Sequence, residues 1–400
     1  MTTPRIAFSG VHINAGDVLG AAASVCWLAS WVLSRSRPMP LAAGMWPSVI
    51  LTAAAASMPS SLDVRAAGLG LAELTVLWIL PAVVVPNILS TPQRVTQFLT
   101  CISVGSLIAG TANLVEAIQV GTAGGLPQVW GAAQYFQGYF QVIALTIAVS
   151  RLLAAVAARR TGAALLWCLA GFVNASALLL TQTRGAWLAA IVAMIVLGIL
   201  WRPSVLIGTI GVLLVVVLTF ASADWASVVR ERVQSTFTLE AGLSGFESSL
   251  GRLGLAVTAW RMFLAHPLLG VGLKNFTVAM PLYSPPGLPL AYEMGPNHIL
   301  TPVEGPHSTY LSLLSEVGIV GLIGLLCWQG AAIRRLYRDS RASRDSRPLD
   351  GLSPTNAPML LAGVIVVAVY NCFFEMNQTG TLIFVSLLAL GSRPPTASPS

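Results

Sequence analysis

Residues 250–276, LGRLGLAVTAWRMFLAHPLLGVGLKNF, and residues 307–321, HSTYLSLLSEVGIVG, bracket a Pro-rich stretch in a chain that is otherwise almost continuously apolar. Between Leu250 and Gly321 stand Arg252, Arg261, Lys274, His266, His298 and His307, which include three of the chain's four histidines. A cationic, histidine-bearing insert carried by an apolar scaffold is the natural place to expect a site.

The scaffold is a membrane one. Of 400 residues, 55% are hydrophobic and only 9% charged, against about a quarter charged in soluble domains. Apolar runs of the ~20 residues a helix needs to cross the hydrocarbon core occur at residues 17–34, 39–58, 67–86, 96–118, 136–156, 162–181, 185–201, 204–221, 307–329, 358–374 and 377–391. The expected fold class is therefore an all-α polytopic membrane protein of about eleven transmembrane helices, within a range of about ten to twelve.

Basic residues orient it, because loops rich in Lys and Arg stay cytoplasmic. Arg35 and Arg37, Arg94, the group Arg151, Arg159 and Arg160, Arg202, the run from Arg334 to Arg347, and Arg393 all fall on one side, whereas the short segments opposite hold only Arg5, Arg65 and Arg184. The expected organisation is helices one to eight in residues 1–221, an extracytoplasmic loop in 222–306 with an amphipathic helix at 252–265, helices nine to eleven in 307–391 with a basic cytoplasmic linker at 330–357, and a disordered Pro- and Ser-rich tail at 392–400. That places the N-terminus outside, the C-terminus inside and the large loop before the third-last helix. No basic n-region precedes the first apolar run, so no cleavable signal peptide is expected. The formal net charge of +7 reflects the cytoplasmic Arg bias and suits anionic lipid headgroups, not nucleic acid. Five dispersed cysteines suggest neither a disulfide framework nor a metal site.

Several residues interrupt the apolar pattern. Glu73 and Glu116 are intramembrane carboxylates, either functional or packed against a polar neighbour. Gln134, Tyr135, Phe136, Gln137, Tyr139, Phe140 and Gln141 form a cluster that either holds a sugar through amides and rings or is an ordinary interfacial belt. Arg184, in the turn Thr181-Gln182-Thr183-Arg184-Gly185, either snorkels or points its guanidinium fork into the outer mouth, where it suits phosphate oxygens.

In 252–265 the apolar Leu253, Ala256, Val257, Trp260 and Leu264 recur at helical spacing and should lie on the membrane or the bundle. Arg252 and Arg261 flank that stripe from opposite sides, being nine residues apart at roughly 100° per residue. His266-Pro267 ends the helix, and the seven prolines from Pro281 to Pro306 suggest an irregular lid. His307 opens the next helix, in which Gly318, Gly321 and Gly324 suggest a close helix contact.

On Thr183-Arg184-Gly185, on Gly251-Arg252 followed by Trp260 and His266-Pro267-Leu268-Leu269-Gly270-Val271-Gly272-Leu273-Lys274-Asn275-Phe276, and on His307-Ser308-Thr309-Tyr310-Leu311 with Glu316, Gly318 and Gly321, the sequence resembles the O-antigen ligase and O-antigen polymerase superfamily of bacterial membrane glycosyltransferases. The resemblance covers roughly residues 165 to 330 and departs from the family at Ser308, where Asn is common. It implies a glycosyltransferase C-like fold in the bacterial inner membrane, and transfer of a glycan from undecaprenyl pyrophosphate to an acceptor hydroxyl at the periplasmic face. Implied partners are that lipid-linked glycan, an acceptor (lipid A-core, another glycan or a protein) and membrane lipids. Arg184 and Arg252 would meet the pyrophosphate and His307 would act as base, with no metal and no cofactor. Arg261, Lys274, Tyr310 and Gln137 are the expected substrate-binding residues. A polymerase or a protein O-oligosaccharyltransferase of the same superfamily fits the same motifs, and a transporter of an anionic lipid or solute is the alternative from another class.

Overall fold

A computed structural model describes residues 6–8, 11–13, 45–120, 134–181, 183–200, 249–286, 292–294, 300–302, 305–345, 356–373 and 378–392. The expected spans at 17–34 and 204–221, most of the loop before residue 249, His298 and the C-terminal tail lie outside the described residues.

The protein is helical and polytopic. Helix α1 (Trp46–Ala56) opens with Pro47 in its first turn, where the missing N–H costs nothing. A short 3₁₀ turn at Met58–Ser60 leads to α2 (Val64–Leu74), which Asp63 caps by accepting from Ala66 N at 3.0 Å. It continues through a wide π-helical turn at Thr75–Ile79 into α3 (Leu80–Ile88). Pro81 withholds an N–H from the preceding turn, and such turns widen there. The long helices α4 (Pro92–Val120), α5 (Gln134–Ala157), α6 (Thr161–Leu180) and α7 (Arg184–Leu200) follow.

The insert contributes α8 (Ser249–Ala265) and α9 (Phe276–Tyr283). The chain returns through α10 (Thr309–Glu316), α11 (Gly318–Asp345), α12 (Asn356–Tyr370) and α13 (Gln378–Gly391). Two short antiparallel ladders are added, β1 (Ile6–Phe8) with β2 (Val11–Ile13) and β3 (Tyr292–Met294) with β4 (Leu300–Pro302).

Five helices are long and apolar enough to cross a membrane: Val64–Ile88, Pro92–Glu116, Gly138–Ala157, Thr161–Leu180 and Gly318–Arg341; Gly185–Ile199 and Asn356–Tyr370 are shorter apolar helices. Leu165, Leu166, Leu169, Ile191, Ile195, Ile199 and Ile323 are exposed, as lipid-facing side chains should be. The main core gathers residues of α1 to α7 and α10 to α13, with Ile50, Leu99, Ile143, Leu197, Trp328, Met359 and Phe384 nearly or fully buried.

A second, smaller core belongs to the insert: Leu255, Ala259, Met262, Val271, Phe276, Ala279 and Met280, with Leu311 and Tyr283 packed against it. On α8 the expected apolar stripe is the outward face, for Leu253, Trp260 and Leu264 are exposed. The inward face is the Leu255, Ala259 and Met262 row.

Three local expectations change. The continuous helix at 307–329 is broken at Gly318, whose φ of 76° ends one helix and starts another. The expected linker from residue 330 begins as helix, since α11 runs to Asp345. The expected irregular lid contains the last turn of α9, through Pro281, and the β3–β4 ladder.

Candidate active site

The insert is tied to the bundle by a knot of backbone. Residues 267–272 run alongside the α10–α11 break: Ile319 N donates to Pro267 O, Val271 N to Ser315 O and Gly272 N to Glu316 O, each at 2.9 Å. Gly270 (φ 66°) and Gly318 (φ 76°) hold left-handed conformations, and a Cβ on either would strike a carbonyl across the knot, that of Glu316 or that of Leu268. Glycine alone combines that φ with that approach. Gly272 (φ 96°) lies against Ser61 in the α1–α2 turn, and Ser60 Oγ donates to Gly270 O at 3.2 Å. Asn275 completes the clamp on the same turn, accepting from Asp63 N at 2.7 Å and donating to Asp63 O at 3.1 Å.

Glu316 is the knot's buried acid. Its Oε1 accepts from Phe276 N at 2.9 Å, at the first turn of α9. Burial pushes its carboxyl from the ordinary 4.5 up to about 7, against backbone donors at Phe276, Lys274 and Asn275 and the Lys274 charge, which pull it down. A carboxylate at a helix N-terminus also meets the positive end of the helix dipole.

Beside the knot the chain presents His307. Its φ of 54° is unusual for a residue with a Cβ, and the next residues hold it there. Ser308 caps α10, its Oγ accepting from Leu311 N at 3.4 Å and donating to Asn371 O at 3.2 Å, while Thr309 N donates to Asn371 O at 3.0 Å. The imidazole is lowered from the ordinary 6.5 to about 4, first by burial and second by the charge of Arg252. Arg252, in the first turn of α8, is half-buried, and Arg252 Nε and His307 Nε2 are both shielded from solvent. The structure thus brings together two of the three residues expected to do chemistry.

Arg184 is the first residue of α7. Its side chain lies outside the described ones, but its surroundings are clear. The carbonyl of Thr183 accepts from Ala186 N and Trp187 N, so α7 starts there. Gly138 of α5 packs on Thr183 and Ala186, where an added Cβ would lie 3.4 and 3.1 Å from their Cβ atoms. Its neighbour Tyr139 meets Tyr370 of α12 edge-on, ring centroids 5.3 Å apart, and Asn371 follows Tyr370. The starts of α5, α7 and α10 and the end of α12 therefore form one continuous set of contacts, with Arg184 at one end and His307 at the other.

The other expected site residues are placed differently. Lys274 forms an ion pair with Glu73 at 2.8 Å, which gives that intramembrane carboxylate a partner. Tyr310 turns into the bundle, its hydroxyl donating to Ala368 O at 3.0 Å and sharing bonds with Gln329. Arg261 is exposed on α8. Gln137 lies in the first turn of α5, its side chain outside the described ones. His266 meets Tyr283 OH at 3.0 Å and pins the end of α8 to the end of α9. Among the described residues no three His, Cys, Asp or Glu side chains converge as a metal site requires.

A family model described as O-antigen ligase matches residues 164–326. Over these residues, less than half of the chain, the sequence is similar to the O-antigen ligase family. The O-antigen ligase of Salmonella typhimurium is 29% identical over 181 residues, a match covering 45% of this chain and 41% of that protein. The matched O-antigen ligase region runs from α6 into α11 and contains Arg184, Arg252, His307 and the whole knot, while α1 to α5, α12 and α13 lie outside it.

Sequence reasoning passed over Glu316 as a buried acid and Asn371 altogether. Asn371 had a readable signal, an amide closing an otherwise apolar run from Leu360 to Tyr370.

Proposed function

We propose that this protein is a glycosyltransferase of the ligase type, which moves a glycan from undecaprenyl pyrophosphate to an acceptor hydroxyl, that of a lipid A-core, at the periplasmic face of the bacterial inner membrane. The observation that carries the reading is the placement of a half-buried His307, its Nε2 shielded from solvent, close enough to Arg252 for that permanent charge to act on it, at the end of the bundle where Arg184 opens α7. A base and a cation at one place suit a reaction that removes a proton from one oxygen and leaves negative charge on another.

In the reaction, the acceptor oxygen gives its proton to His307 as it bonds to the anomeric carbon of the donor sugar. The bond from that carbon to the pyrophosphate oxygen breaks, and the pyrophosphate leaves with the electron pair. Arg252 and Arg184 meet the growing charge; a guanidinium fork can grip two phosphate oxygens at once. Donor binding also tunes the base. An anion seated against Arg252 offsets the charge that depresses His307, so its pKa rises and the imidazole becomes a stronger base when the leaving group is in place.

The reading is tested with purified protein in lipid nanodiscs, undecaprenyl-pyrophosphate-linked glycan and, separately, lipid A-core, free glycan and protein acceptors. Transfer to lipid A-core that survives exhaustive chelation and is lost in His307→Ala is the expected result. Transfer only to glycan or only to protein replaces the acceptor assignment, and activity abolished by chelation and restored by a divalent ion moves His307 from base to ligand.

A further inference from the structure

Asn371 is 0% exposed, yet neither Oδ1 nor Nδ2 has a hydrogen-bond partner among the described residues. Five other buried amides of the bundle are satisfied. Asn174 bonds to Ala170 O and Ser106, Gln141 to Ser106, Asn275 to Asp63 and Leu273, Asn356 to Thr96 and Arg151, and Gln329 to Tyr310. Asn113 is the other exception among the described residues, within the α4 span. Burying an amide without partners opposes folding; the bundle satisfies five such groups and leaves two bare, and of these two Asn371 is the one joined to the segment that presents His307.

The Asn371 carbonyl is the acceptor for both Ser308 Oγ and Thr309 N, so it is joined directly to the segment that presents His307. Tyr370 before it lies against Tyr139, within the set of contacts that leads to Arg184.

We infer that Asn371 binds a pair of sugar hydroxyls at the His307 site, in the sugar ring whose hydroxyl His307 deprotonates. The inference rests on the glycosyltransferase reading. Its chemistry follows from the amide, which offers a donor and an acceptor side by side. A phosphate ester presents acceptors only and an ammonium donors only, whereas neighbouring hydroxyls of a pyranoside present both. The carbonyl of the same residue fixes the His307 segment, so sugar and base are held by one residue.

The test is Asn371→Leu, nearly the same volume without the polar atoms, assayed in nanodiscs for thermal unfolding and for steady-state transfer with donor and acceptor varied separately. The variant should unfold at or above the wild-type temperature, because an unsatisfied amide has been removed, while KM for the acceptor rises about tenfold or more. A rise in donor KM with acceptor KM unchanged overturns the assignment to the acceptor ring. Unchanged KM for both in an active variant overturns the inference while leaving the glycosyltransferase reading intact, and so does a marked loss of thermal stability, which would show a structural partner. A wild-type protein that transfers no glycan to any acceptor overturns the reading and takes this inference with it.

Discussion

The state of His307 gives the sharpest quantitative prediction. A histidine at the ordinary 6.5 is about a quarter protonated at pH 7, and one at about 4 is protonated in only ~0.1% of molecules. The downward shift corresponds to roughly 3 kcal/mol against the imidazolium. Burial is the larger cause and Arg252 the smaller. Diethyl pyrocarbonate acylates only neutral imidazole, and peptide mass spectrometry reads modification at His307 separately from the other three histidines. From about pH 3.5 to about pH 8, a range spanning both values, the rate at His307 should rise with a midpoint near 4 and be flat through neutrality. Arg252→Gln should raise the midpoint without bringing it to 6.5, because burial remains. Added inorganic pyrophosphate should raise it in the wild type but not in that variant. A wild-type midpoint near 6.5, or a midpoint indifferent to Arg252→Gln, would refute the electrostatic pairing and with it the argument that donor binding strengthens the base.

Other expectations follow from the same geometry. Arg184→Lys and Arg252→Lys should each lower turnover by roughly 100-fold in protein that still inserts and purifies, while the exposed Arg261→Lys should stay within about threefold; equal tolerance at all three would remove the pyrophosphate role. Glu316 has a folded-state pKa above its unfolded value, so its contribution to stability is fully present below about 4.5 and is lost as pH rises through about 7. Thermal unfolding should therefore show a downward step in stability over that window that Glu316→Gln abolishes, and a step of the same size in the variant would exclude Glu316 as its source. Gly318→Ala should reduce the yield of folded protein and destabilise it by more than ~1 kcal/mol, since both its φ and the Leu268 carbonyl forbid a Cβ; normal expression and melting would contradict the knot. Single cysteines at residues 240 or 290 should react with an impermeant thiol reagent in intact cells and one at 343 should not, the reverse pattern inverting the proposed orientation.

The sequence by itself determined that this is a helical membrane protein, because apolar runs long enough to span a bilayer and an asymmetric Arg distribution are properties of composition and local order. It also singled out Arg252 and His307, polar groups in an otherwise apolar chain. What the tertiary structure decided concerns pairs far apart in the chain. Gly318 looked like a helix-packing glycine, but its conformation is set by Pro267 and Leu268 lying across it. Lys274 and Tyr310 were legible as polar groups near the site, but that one pairs with Glu73 and the other bonds to Gln329 and Ala368 is decided by packing. Asn371 gained its place only when Ser308 and Thr309 bonded to its carbonyl from 63 and 62 residues away, the separations of positions 308 and 309 from 371. Periodicity and charge bias record how each segment meets lipid or water. Which polar groups satisfy one another is settled by the packing of distant segments, and that is where the site was completed.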